Sequence, residues 1–583
     1  MKSHSVSSSS TPASEDSSER EREREREGEE LRHKERGGLS GKKNKNKKKK
    51  SKKEDRRYCV VPLEVGHGIE MSSSSSGANI TAAAASDRET LPFVTPSPNS
   101  THHKKRHPPK ASAQNHAVSY GLIVSLGIVA WTLEAPASLD ASVWHLFIIF
   151  LGTIATILVG LPLVVASLSA LCLAVVTGTL TTKVALSGFS SEVVWLVIFA
   201  FFIAKALEVT GLGRRCCFVA LAMFGRSSLG LAYAVALAET ILGSAIPSNT
   251  ARGAGIVLPI LKPLLTDALG SDPVTGTEKK VGSYLVLSAW HSNCVSSSMF
   301  LTGCGVCALM AKLAKSTANL DISWWVWFSG SCVPGGVCAL IVPYLLYLIY
   351  PPQQKDTRTA QQVAGERLAE LGPVKWQELL TGATFVLLVV MWIVGDLAGL
   401  CDATTTALVG VSVLLLSGVL SVKDVVHEHA AFGILLWFPP LLVMADALTK
   451  GGMFDLIGSQ ISQTAEGFAL SWPVVLVLTC LCFYYSHYVF ASLTAHAAAL
   501  YATFLTVCIS AGAPALPSAL ALAYLSPLSG CVTQFSSGPA PSYFALGYVP
   551  LSDWWRYGFV ISLLHVGVYL TVGMAWWKVL GLY

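Results

Sequence analysis

Long apolar runs broken by short polar insertions cover this chain from residue 118 to its end. The runs fall at about 118–133, 141–159, 161–178 and 192–209, then at 213–268, 282–315 and 324–350. A polar segment near 351–376 interrupts them, and a second series follows at 378–397, 404–420, 431–449, 472–508, 515–548 and 557–580. A helix needs roughly 20 apolar residues to cross a bilayer, because each residue rises only about 1.5 Å. Four runs (213–268, 282–315, 472–508 and 515–548) carry polar residues in their interior. Backbone that leaves the helix at membrane depth must be buried in protein or line a cavity. The pattern predicts an all-α polytopic membrane protein with about eleven spans and two re-entrant hairpins. Each half supplies about three full spans, a broken hairpin, a broken span and an exit helix.

The polar insertions recur. Ser248-Asn249-Thr250-Ala251-Arg252 returns as Ser492-Leu493-Thr494-Ala495-His496, 244 residues later. Ser298-Met299-Phe300-Leu301-Thr302-Gly303 has a counterpart in Thr533-Gln534-Phe535-Ser536-Ser537-Gly538, 235 residues later and in the same order. Two different signatures duplicated at nearly one spacing point to an internally repeated membrane transporter with a binding site between its halves. The expected organisation is a low-complexity tail over 1–116, a first membrane repeat over 117–350, a linker over 351–376 and a second repeat over 377–583.

Charge sharpens the division. The first 120 residues hold 24 Lys and Arg against 16 Asp and Glu, and the remaining 463 hold only 19 against 21. So few charges cannot cover a soluble protein of that size. The tail alternates Arg and Glu over 19–27 and runs into a lysine block over 42–53, a composition that predicts disorder. On a membrane protein such a block reads as a tether to anionic lipid rather than a nucleic-acid site, so no nucleic-acid partner is expected. From Met71 the Ser, Ala and Thr content resembles an organelle transit peptide, although the charged residues before it do not. The fourteen cysteines sit singly or as Cys216-Cys217 and Cys304-Gly305-Val306-Cys307, without a second pair or histidine to hold zinc. Neither a metal nor another cofactor is expected. No nucleophile elbow, Walker motif, zincin helix or dinucleotide fingerprint occurs, so the chain is not read as an enzyme.

The chemistry of the insertions suits a small anion. A hairpin tip carrying Ser248, Asn249 and Thr250 offers two hydroxyls, an amide and helix N-terminal N–H groups, all without a fixed charge to desolvate. Ser492 and Thr494 repeat the hydroxyls. The Thr302-Gly303 and Ser536-Ser537-Gly538 breaks add close backbone approach and further donors. Two such tips, each holding one end of a two-headed anion, suggest a dicarboxylate. Arg252 and His496 follow their tripeptides at equivalent places, and a cation deep in an apolar segment is costly unless paired or functional. Both are expected in the substrate site, attracting carboxylates; the alternatives are an Arg252–Glu239 pair and a neutral, packed His496. His291, His487 and His565 read as structural. Trp324-Trp325, Trp554-Trp555 and Trp576-Trp577 read as interfacial belt residues.

At these residues the chain resembles the divalent anion:sodium symporter family, particularly plastid 2-oxoglutarate/malate translocators and bacterial citrate or dicarboxylate exchangers. The stretches that carry the resemblance are Ala245–Arg252, Phe490–His496, Ser536–Pro539 and Asp553-Trp554-Trp555-Arg556. It implies a homodimer with inverted repeats, whose transport domain carries the tips and breaks in an elevator motion against a fixed scaffold, and a plastid inner envelope location. Sodium-coupled relatives usually have Ser-Asn-Thr at both tips, whereas Leu493 removes the second amide here. With Arg252 and His496, this resembles sodium-independent exchangers, in which protein cations substitute for sodium. The expectation is therefore electroneutral exchange of C4–C5 dicarboxylates. The alternatives are sodium-coupled uptake of a dicarboxylate, citrate or sulfate, and an anion channel.

Overall fold

The computed structural model describes residues 111–398, 400–467 and 470–583. The readings made for the tail, its targeting segment included, lie outside them except at the last few residues. The first helix, α1 (Ala111–Trp131), already begins at Ala111. The first half continues with α2 (Ala141–Leu158), α3 (Leu163–Val176), α4 (Glu192–Thr210), α5 (Leu212–Phe224) and α6 (Ser228–Ala245). Next comes α7, a run that opens with Asn249–Arg252 and passes through two π-helical turns to Ala268. It is followed by α8 (Gly282–Met299), α9 (Gly305–Ala318) and α10 (Trp324–Ile349). After α11 (Arg358–Glu370), the second half comprises α12 (Trp376–Ala398), α13 (Ala403–Leu416), α14 (His429–Lys450), α15 (Met453–Gly467), α16 (Trp472–Ser486), α17 (Leu493–Ser510), α18 (Ala515–Ser529) and α19 (Leu551–Val568). No strand occurs among the described residues, and ten helical stretches are long and apolar enough to cross a membrane.

Corresponding pieces of the halves share backbone detail. Gly178 and Gly418 both adopt left-handed φ, +74° and +73°, after α3 and α13. In each turn the leucine two residues on donates back to the preceding helix, Leu180 to Ala174 O and Leu420 to Leu414 O, both at 3.0 Å. The halves also exchange partners: α4 packs on α13, and α14 packs on α3.

Three helices were not marked off by the apolar pattern. α5 splits off from the 213–268 run at Gly225, where a Cβ would overlap Leu221 O, so the first hairpin starts only at Ser228. α15 fills the polar gap between the runs at 431–449 and 472–508, and α11 forms within the linker. The linker is held in place: Arg215 of α5 forks onto Glu378 (Nε–Oε2 2.5 Å, Nη2–Oε1 3.2 Å) and donates to Gly372 O at 3.0 Å. The tryptophan pairs are split rather than interfacial. Trp324, Trp554 and Trp577 are buried, and Trp577 donates to Gly330 O at 2.8 Å. Consecutive helical residues point about 100° apart, so a pair cannot turn both rings to lipid.

Candidate functional site

Both hairpins turn on a serine cap. Ile246 and Ser248 leave the helical region, and Ser248 Oγ accepts from Ala251 N at 3.1 Å to start α7. In the second half Ser492 Oγ accepts from Ala495 N at 3.3 Å to start α17. A hydroxyl used as a cap acceptor still has its O–H to donate. Around these caps Asn249 and Thr494 are half-buried and Thr250 is exposed. Their side-chain polar atoms have no partner among the described residues.

The broken spans meet the tips. α8, buried at every residue, ends at Met299, and the chain is extended at Phe300 before α9 begins. Gly303 turns so tightly that a Cβ would lie 2.9 Å from Ser297 O. In the other half the chain between α18 and Ala540 is a series of turns, and a Cβ at Gly538 would overlap the Thr250 hydroxyl. Gly538 thus brings the second break against the first tip. At the start of that break, a Cβ on Gly530 would lie 3.4 Å from Leu493 of the second tip. The side chains predicted from the duplicated signatures therefore converge.

They divide by what they hold. Arg252 is fully buried and commits all its donors to protein. Nε donates to Glu239 Oε2 at 2.6 Å, Nη1 to Ile246 O (2.9 Å) and Gly303 O (3.0 Å), and Nη2 to Ser297 Oγ (2.7 Å), Ser296 Oγ (3.1 Å) and Asn293 O (3.4 Å). A guanidinium has five N–H groups, so none is left for a substrate carboxylate. Of the two sequence readings, the geometry matches the Glu239 pair. Arg252 binds the first tip to the first break through Gly303 O.

His496 is equally enclosed. Its Nε2 lies 2.9 Å from both Phe483 O and Ser486 Oγ, fastening α17 to α16. The link to the second break comes instead from His487, whose Nε2 meets Ser536 O at 2.7 Å. Thr302 and Ser536 are framework residues too. Thr302 Oγ1 donates to Ser244 O at 2.8 Å, and Ser536 Oγ bonds Gly530 O and Thr533 O. Ser537, also buried, keeps an unpaired hydroxyl. Among the predicted site residues, the side-chain groups without a partner in the described residues thus include the Asn249 amide and the hydroxyls of Thr250, Thr494 and Ser537.

Sequence reasoning missed Asn293 and Tyr543 here, and gave Thr533, which opens the second-half signature, no role. Asn293 of α8 donates from Nδ2 to Glu239 Oε2 (3.1 Å) and Asn249 O (3.2 Å), while its side-chain Oδ1 stays unpaired. Tyr543 places its hydroxyl 3.2 Å from a Cβ at Gly253, and that hydroxyl is buried without a partner, as is that of Thr533. Asn293 sits in a helix buried all round, where no periodicity marks one face. Among the described residues no cluster of His, Cys, Asp and Glu could hold a metal.

Residues 114–583 match the sodium:sulfate symporter transmembrane region. The chain is 42% identical to the putative malate transporter YflS of Bacillus subtilis (strain 168), over 79% of this chain and 96% of that one. It is 39% identical to the chloroplastic dicarboxylate transporter 1 of Arabidopsis thaliana, over 88% and 90%. Among solved structures, the Alcanivorax borkumensis YdaH transporter matches 81% of this chain and 98% of its own, at 13% identity and a TM-score of 0.41.

Proposed function

The chain belongs to the divalent anion:sodium symporter family, and from that premise we propose that it exchanges C4–C5 dicarboxylates, of the malate and 2-oxoglutarate type, without sodium. The observation that carries this reading is the position of Arg252. In broken-helix transporters a coupling sodium is held by unwound backbone carbonyls and half-helix C-termini. Here Ile246 O and Gly303 O, the carbonyls at the first tip and first break, already receive a guanidinium. In the second half the imidazoles of His487 and His496 meet Ser536 O and Phe483 O. The cation that would otherwise come from solution is part of the chain.

Substrate binding falls to the groups left free: Asn249, Thr250, Thr494 and Ser537, the Ser248 and Ser492 hydroxyls, and the N–H groups opening α7 and α17. Gly303 and Gly538 admit close backbone. Arg252, His496, Thr302 and Ser536 are positioning residues, which hold each tip to its arm or break. The two membrane repeats, 117–350 and 377–583, joined through 351–376, are inverted with respect to each other. They work in a homodimer by an elevator motion of the tips and breaks. Names of chloroplast relatives support a plastid inner envelope location.

Purified protein in liposomes tests this. Labelled malate should enter only vesicles preloaded with a dicarboxylate, at the same rate with and without a sodium gradient. Uptake that needs inward sodium would overturn exchange. Currents indifferent to substrate on the far side would instead identify a channel.

A further inference from the structure

Away from the tips, two cavities flank α9. The larger, about 400 Å³, is enclosed by α9, the starts of α4, α10 and α13, and Trp392 of α12. Its lining includes Leu301, the residue before Thr302, and follows one face of α9 through Ala308, Lys312 and Lys315. The second, about 320 Å³, lies between residues 187–193 and α14. Both cavities are lined by Glu192, Val193 and Lys312.

Most charges on these walls are matched. Lys315 pairs with Asp321, and Lys450 with Asp446 at 2.7 Å. Asp402 accepts from Thr404 N and Thr405 N, both at 2.9 Å, to cap α13. Lys312 and Glu192 have no ion pair or side-chain hydrogen bond among the described residues. Lys312 is half-buried, and its ammonium has no counter-ion within ion-pair distance among the described residues. A cation that lines a cavity of a membrane protein without a partner is a candidate functional group.

We propose that Lys312 captures a carboxylate of the incoming dicarboxylate between solvent and the first break. The proposal rests on the exchange reading above. A space of about 400 Å³ lies within the roughly 300–1,000 Å³ of small-ligand sites. The ammonium offers three donors for charge-assisted bonds to one carboxylate, leaving the other free to move on toward Thr302-Gly303. Glu192 stands in the first turn of α4, where a helix N-terminus favours a carboxylate. It lines the same cavity, and its negative charge, like that of the substrate, keeps capture weak enough for release.

Malate counter-exchange in liposomes tests the role. K312Q should raise the KM for malate about tenfold while the saturated rate changes less than twofold, and K312R should restore the KM. Raising ionic strength should lower the wild-type rate at low malate and leave that of K312Q nearly flat, because the captured charge is gone. A saturated rate that falls with an unshifted KM would reduce Lys312 to a packing residue and overturn capture. Wild-type exchange with identical KM values for wild type and K312Q overturns it also, with the exchange reading intact. Wild-type protein that exchanges no dicarboxylate overturns both.

Discussion

Arg252→Ala is the sharpest perturbation of this site. The substitution leaves Glu239, itself fully buried, without its counter-ion and strips hydrogen bonds from Ile246 O and Gly303 O. Removing one partner of a buried ion pair costs about 3–5 kcal/mol, since the remaining charge is desolvated with nothing opposite it. The three carbonyls and two serine hydroxyls that lose their donor are coupled to that loss, so their contributions are not added to it. Because a factor of ten in rate corresponds to about 1.4 kcal/mol, loosening the tip from the break by half that cost slows exchange at least tenfold. The variant also leaves a pocket ringed by Ile246 O, Gly303 O and a carboxylate, a hard oxygen set suited to a small cation. Two measurements follow: thermal unfolding in detergent with sodium or with choline, and malate counter-exchange in liposomes under the same ions. Expected are a lowered Tm and slow exchange, each partly recovered by sodium in R252A and unaffected by sodium in the wild type. R252M/E239M, which removes both charges, should be more stable than R252M alone and still exchange slowly. An R252A protein with wild-type Tm and wild-type exchange would refute the clamp.

Gly538→Ala should lower Tm and slow exchange at least tenfold, because its Cβ overlaps the Thr250 hydroxyl; G538A/T250A, which deletes that oxygen, should regain Tm in the same melt. His487→Ala orphans Ser536 O in a buried setting, a loss of about 1–3 kcal/mol that a thermal melt and a slower counter-exchange should both register. Thr494→Ala removes one free neutral donor, so the malate KM should rise up to about tenfold with Tm unchanged. Arg215→Gln breaks the fork to Glu378, and its effect should fall on Tm alone, since the linker it holds lies outside the junction of tips and breaks.

Spans were readable because hydrocarbon imposes one requirement on every residue facing it, and runs such as 324–350 meet it. α11 and α15 follow no such requirement, and polar sequence in a membrane protein looks alike whether helical or not; α5, being apolar, merged into the run of the hairpin behind it. The tips were readable for a different reason. Serine caps and paired hydroxyls are local devices, and their duplication marks them against an apolar background. Partnership across elements was not local. Glu239 lies 13 residues from Arg252, within reach of a sequence guess, but Gly303 O lies 51 residues away and enters only through the fold. A cation placed just after the tripeptide looks the same in sequence whether it faces a substrate or a carbonyl. The second half shows the limit best: position 496 repeats the place of Arg252, yet it is His487 that reaches the second break.

A guanidinium fixed to the chain differs from a sodium ion in one respect that matters to the cell. Sodium has a concentration, and a site that waits for it inherits its gradient, depletion and electrical work. Arg252 is present at every cycle in the same amount on either face of the membrane. A carrier that brings its own cation can store no energy in that ion. On the exchange reading proposed above, the direction in which each dicarboxylate moves then follows only the gradients of the two that trade places.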